Sequence, residues 1–114
     1  MKIEFVNNVE PKPTNNLMKI FTNPERIARE IVPNFKCINS EVLDSIDSCM
    51  QRKLSLQRAA QMSHNYCLKV KIVFVTEEGI KEVVTTIWAA TENNVILKGG
   101  ICIPVCCIKE VVLN

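Results

Sequence analysis

The spacing of apolar residues changes once along this chain, close to residue 66. Upstream of that point, Val42, Leu43, Ile46, Cys49, Met50 and Leu54 recur at intervals of three and four, while Asp44, Asp47, Gln51 and Arg52 fall between them. This is the pattern of an amphipathic helix, and it predicts one starting near Ser40. Ser55 either caps a further turn carrying Leu56, Ala59, Ala60 and Met62 or lies inside one continuing helix. The spacing leaves both open, and Ser63-His64-Asn65 closes the helical region. An earlier short helix is predicted from Asn23-Pro24-Glu25, which combines a capping side chain, a first-turn proline and an early acid. Ile27 and Ile31 share one side of it, and Pro33-Asn34 stops it. Before it, Met1 to Thr22 is rich in Asn and carries Pro11 and Pro13, so it reads as a partly extended arm or loop with a short strand at Lys2 to Val6.

Downstream the period falls to two. Tyr66, Leu68, Val70, Ile72 and Phe74 alternate with Cys67, Lys69, Lys71, Val73 and Val75. The first set is expected to face a core. The second set begins polar and turns apolar, so the strand should run into a region covered on both faces. Glu77-Glu78-Gly79 predicts a tight turn, with Gly79 suited to positive φ. Lys81 to Ala90 reads as one long strand rich in Val and Thr. Turns at Thr91 to Asn94 and Lys98-Gly99-Gly100 separate Val95-Ile96-Leu97 from Ile101-Cys102-Ile103. Pro104 marks an end or an edge, and Lys109 to Leu113 adds a last strand. Trp88 shares its alternation with the small Thr86 and Ala90, so it is expected in the core, where such a ring buries ~200 Å². The alternative is an exposed platform for a base or a peptide.

The result is a single α+β domain over residues 1–114, with an arm (1–22), a helical region (23–64) and an antiparallel β-meander (66–114) curled into a small sheet or barrel. With 114 residues, 47% hydrophobic and 23% charged, the chain is large enough for one modest core and has ordinary globular composition. A net charge of +2 argues against a strongly basic nucleic-acid binder and leaves only a local patch. No run approaches the ~18 apolar residues that cross a bilayer. The start of the chain has no apolar signal-peptide core, so a cytoplasmic location without membrane contact is expected.

Six cysteines, Cys37, Cys49, Cys67, Cys102, Cys106 and Cys107, contain no Cys-x-x-Cys pair. Cys102 and Cys106 could join His64 and Cys67 in an irregular four-ligand metal site, whereas the plainer role is that of small apolar fillers. Cys106 and Cys107 point to opposite faces of an extended segment, so they are not expected to pair. His64 is the only histidine, and no acid–base constellation, phosphate loop or dinucleotide motif is present. No catalytic residue and no cofactor is therefore expected. Lys69, Lys71 and Lys81 are expected to share a basic patch, with Arg52, Lys53 and Arg58 adding a basic stretch on the preceding helix, and Lys98 is a further candidate nucleic-acid contact. Aromatics make up only 5% of the chain, so the usual stacking companions of such a patch are few.

Two resemblances rest on the C-terminal half. The runs Lys69 to Phe74, Val84 to Thr91 and Val95 to Pro104 resemble a family of small bacterial proteins of the Bacteroidetes type, marked by a Thr-Thr-x-Trp-Ala strand and a Leu-Lys-Gly-Gly-x-x-Ile-Pro segment. That likeness covers the last ~50 residues and implies no activity. Leu97-Lys98-Gly99-Gly100, followed by Ile103 and Ile108, is more loosely similar to the element before the last strand of Sm-like and SH3-like barrels. Gly100 and Pro104 depart from that pattern, and the family's first element has no clear counterpart here. This second likeness implies an SH3-like or Sm-like, partly open barrel, and an RNA pocket in a ring-shaped oligomer. The function expected first is a non-enzymatic binding or regulatory module that uses protein partners or self-association, with strand edges beside Pro104 and Lys98 as docking points. An RNA- or DNA-binding module using the lysines comes second, and a thiol- or metal-dependent enzyme third.

Overall fold

The computed structural model describes residues 23–113. The Met1 to Thr22 arm and its short strand lie outside the described residues. The fold is α+β: one main helix, a mixed four-stranded sheet and a three-stranded antiparallel sheet.

The short helix expected after Pro24 is absent. Glu25–Arg26 (β1) is instead a two-residue strand, and Arg29–Asn34 is a 3₁₀ segment. Pro33 supplies no N–H and leaves too few residues after Pro24 to nucleate an α-helix. The chain closes i→i+3 bonds in its place, Ile31 N to Ala28 O and Phe35 N to Val32 O, both at 3.1 Å. Ile27 and Val32 are buried, while Ile31 stays exposed.

The main helix α1 spans Ile46–Tyr66, starting later than expected and running on without a break at Ser55. Ser45 caps it, its Oγ accepting from Ser48 N at 3.0 Å, and Asp47 complements the dipole in the first turn. Cys67 closes it in the left-handed conformation at φ 56, so Tyr66 and Cys67 end a helix and do not begin a strand. The buried face is Arg52, Leu56, Ala59 and Ser63. The stripe expected in the core points largely outward, with Ile46 82%, Met50 50% and Leu54 53% exposed. Small Ala59 and Ser63 let the helix approach the sheet closely. Ser63 Oγ also donates to Leu68 O at 2.9 Å and accepts from Ile87 N at 3.4 Å.

Five further strands follow α1 before a last one: Val70–Thr76 (β2), Gly79–Thr85 (β3), Ile87–Ala90 (β4), Asn94–Leu97 (β5) and Cys102–Pro104 (β6). A 3₁₀ turn at Val105–Cys107 leads into Ile108–Leu113 (β7). The first sheet has the order β1-β3-β2-β7, with β1 parallel to β3 and the other pairs antiparallel. The second has the order β4-β5-β6. The long strand expected from Lys81 to Ala90 is thus two strands that change sheets at Thr86. Thr86 O is free of the ladder and accepts from Lys98 N at 2.9 Å.

The expected alternation in β2 holds: Val70, Ile72 and Phe74 are each 0% exposed. Val73 is buried on the other face, as its turn to apolar character implied. Val70, Ile72 and Phe74 join Val83, Ile87, Val95, Leu97, Ile103 and Ile108 from both sheets, with Leu56 and Ala59 from α1, in one contiguous core. Trp88 is not part of it and is 57% exposed. Inward Val83, Thr85 and Ile87 set the parity, and the pairing of β4 with β5 shifts register between Ile87 and Ala89, so the ring is turned outward.

The β2–β3 turn behaves as its sequence implies. Gly79 adopts φ 117, and Thr76 Oγ1 donates to Gly79 O at 2.8 Å while accepting from Glu78 N at 3.1 Å. A Cβ at Gly79 would meet nothing within 4 Å, so the cost of adding one is purely conformational. Gly79→Ala is expected to lower unfolding free energy by about 1–2 kcal/mol without altering the fold, measured by urea denaturation. Among the described residues no helix is long and apolar enough to cross a membrane.

Candidate interaction surface

The outward turn of Ile46 and Met50 leaves apolar surface at the start of α1. It forms one wall of a groove of about 620 Å³, closed opposite by Ala90 and Thr91 at the β4–β5 turn and floored by Leu56 and Val105. Leu43 and Cys49 complete the apolar lining, and Asp44, Glu92 and Lys53 stand on the rim. The groove owes its shape to two local devices. The β4–β5 turn is pinned by Thr91 Oγ1, which accepts from Asn94 N at 3.0 Å, and by Thr91 N donating to Asn94 O at 2.8 Å. The segment leading into α1 is tied to the 3₁₀ turn by Val42 N to Cys106 O at 3.0 Å.

A charge pair holds that segment against the helix. Arg52 donates from Nη1 and Nη2 to the two carboxylate oxygens of Glu41, at 2.5 and 2.6 Å, and from Nη1 to Ile108 O at 3.1 Å. The Arg52 side chain is 7% exposed and that of Glu41 39%. The guanidinium beside Glu41 holds its carboxyl down at about 2, and Leu43 N helps by donating to the same carboxylate at 3.0 Å. With Arg52 neutralised in this way, the other charges lining the groove among the described residues are Asp44 and Glu92 against Lys53.

The residues expected to carry chemistry are scattered. Lys71 pairs with Val84 and Lys81 with Phe74 across β2 and β3, and positions three apart on a strand face opposite ways. Lys71 reaches Glu82 at 4.0 Å on one face, where Arg26 also pairs with Glu82. Lys81 is buried on the other face, paired with Glu25 and 4.7 Å above the ring of Phe35. The expected exposed patch of Lys69, Lys71 and Lys81 is therefore corrected. Lys69 is exposed ahead of β2, and Lys98 is exposed in the β5–β6 turn of the second sheet.

His64 and Cys67 end α1, Cys102 lies on β6 and Cys106 in the 3₁₀ turn. Among the described residues no three His, Cys, Asp or Glu side chains form a group that could hold a metal. Cys37 and Cys107 come together along one edge of β2, beside Thr76 and Phe74, a closeness no local spacing announces. β6 is the edge of the second sheet, but it has three residues and ends on Pro104, which offers no N–H to an added strand.

The groove is not legible in the sequence because its walls come from the start of α1 and from the β4–β5 turn, which are far apart along the chain. The available signal was the stripe of Ile46 and Met50, which has the same spacing whether it faces a core or a partner. No family model, curated protein or solved structure matches this chain.

Proposed function

We propose that this chain is a non-enzymatic protein-binding module whose groove takes an amphipathic helix bearing basic residues. The observation that carries the reading is the exposure of Ile46 and Met50, 82% and 50%, along one wall of an apolar groove. Large apolar side chains in such a surface mark an interaction site. Helix-in-groove binding uses anchors at three-four spacing, which suits a groove walled by a helix on one side. Charge complementarity selects the occupant: Asp44 and Glu92 outnumber Lys53 on the rim, so a segment with Lys or Arg beside its apolar stripe is favoured.

We also read the fold as a partly open SH3-like or Sm-like barrel. That reading is supported by two continuities: β3 passes to β4 across the single residue Thr86, and β6 passes to β7 through one 3₁₀ turn. A reducing compartment such as the cytoplasm suits six free thiols.

Each buried apolar anchor is worth about 1.5–3 kcal/mol before the cost of association, which places Kd on the order of 10 μM. The test uses a dye-labelled helical peptide with Leu on one face and Lys on the other, read by fluorescence anisotropy. Ile46→Asp/Met50→Asp, at two exposed positions, is expected to weaken binding by about tenfold or more while leaving stability unchanged. Asp44→Lys/Glu92→Lys is expected to weaken the same peptide and to strengthen its Glu-for-Lys counterpart. Equal binding by wild type and Ile46→Asp/Met50→Asp would refute the groove. A concentration-dependent dimer that blocks the peptide would replace this occupant with a second copy.

A further inference from the structure

We propose that Cys37 and Cys107 form a dithiol modification site, a pair that a small disulfide of the glutathione type oxidises to an intramolecular disulfide. The placement comes from β2. Ile108 pairs with Phe74, and Cys37 with Thr76, two residues further along the same edge. Ile38 N donates to Val75 O at 3.1 Å and Glu77 N to Lys36 O at 2.9 Å, so the segment around Cys37 takes over from β7 as the neighbour of β2. Cys107 immediately precedes Ile108, on the side toward Val75. The two cysteines thus meet end to end beside Val75. Two residues of strand separate Ile108 from Cys37 by about 7 Å, and Cys107 lies one residue back from Ile108 on the side toward Cys37, which brings the pair toward the ~4.4–6.8 Å Cα spacing of a disulfide.

Cys37 packs against the core cluster that contains Cys107, and the environments of the two divide the roles. Cys107 is fully buried in the core, its S–H also lying 3.2 Å from Pro104 O, while Cys37 is half-buried at the surface of that core. The neighbouring sulfur, together with burial, raises the pKa of Cys107, and the same neighbour lowers that of the more exposed Cys37. Cys37 is therefore the thiolate that an external disulfide meets first. It attacks one sulfur of the small disulfide, forming a mixed disulfide and expelling one small thiolate. Cys107 then attacks Cys37 Sγ and its proton leaves with the second small thiol. The two protein thiols lose two electrons and two protons in all, and the small disulfide gains both. The product staples the segment that carries Glu41 onto the 3₁₀ turn before β7.

The experiment equilibrates the full chain, carrying Cys67→Ser and Cys102→Ser to remove the exposed thiols, in glutathione buffers of increasing oxidised fraction. Free thiols are then alkylated and peptides mapped. The expected result is a Cys37–Cys107 crosslink lighter by two hydrogens, its yield following the buffer ratio, with Tm higher by about 5 °C or more. Fragmentation between Cys106 and Cys107 assigns the partner without depending on a variant at the buried position. Cys37→Ser should abolish the crosslink and the Tm rise, while Cys106→Ser should leave both. Full alkylation of Cys37 and Cys107 in the most oxidising buffer, or a crosslink from Cys37 to Cys106, would overturn the proposal.

Discussion

Glu41→Gln is expected to destabilise the domain by about 2–3 kcal/mol, a fall in Tm of roughly 10–20 °C for a domain of this size. Removing the carboxylate strands the Arg52 guanidinium in a site where its side chain is only 7% exposed. The loss is set below that of a fully buried pair because Glu41 itself is 39% exposed and screened by water. The same pair gives the stability a pH dependence of definite sign. Glu41 ionises at about 2 in the folded chain, below its ordinary value of 4.5. A depressed folded value means that the stabilisation is fully present above 4.5 and is lost as pH falls through about 2. Its size is about 1–2 kcal/mol after allowance for screening. Urea denaturation from pH 7 to pH 2 should show this loss in the wild type and lack it in Glu41→Gln. A double replacement, Glu41→Leu with Arg52→Met, should recover much of the stability. It removes the charge together with its partner, and with them Arg52 Nε, a buried atom without a hydrogen-bond partner among the described residues.

Phe74→Ala should have the larger effect. The ring is 0% exposed in the core, between neighbours from both sheets, and on β2, the central strand paired with both β3 and β7. Deleting it removes the transfer energy of the ring and leaves a cavity that such a site collapses around poorly, a loss of about 3–5 kcal/mol. That is a large part of the 5–15 kcal/mol typical of a domain. Thermal unfolding followed by circular dichroism is expected to show either a Tm lowered by roughly 15 °C or more or no cooperative transition at 37 °C. Phe74→Leu, which refills most of the volume, should lose less than half as much.

The parts of this fold that could be read from sequence are those decided by neighbours along the chain. Gly79 at its turn, the burial of Val70, Ile72 and Phe74, and the turns at Thr91 to Asn94 and Lys98 to Gly100 all follow from local chemistry. The errors came where a distant partner decides. Ile46, Met50 and Leu54 have the spacing of a core stripe, yet the helix presents Arg52, Leu56, Ala59 and Ser63 to the sheets. A buried arginine is legible only once Glu41 is known to reach it. Trp88 follows the alternation of its strand, but the set that faces inward is Val83, Thr85 and Ile87 and not Thr86, Trp88 and Ala90, a choice of face that the sheets on either side make. Pro24 and Pro33 bracket a segment that reads as a helix but is too short to be one. The groove and the Cys37–Cys107 pair were beyond sequence reasoning, since each joins segments that meet only in the folded chain.

The stripe of α1 that was expected in the core and lies exposed is also the basis for the proposed function. Backbone amide shift mapping of the full chain with the Leu/Lys peptide locates the bound ligand residue by residue. Binding at the groove predicts the largest shifts at Ile46, Cys49, Met50, Ala90, Thr91 and Val105, with little change along β2. Shifts centred instead on Lys69 and Lys98, or along the β6 edge, with the groove residues unmoved, would contradict it.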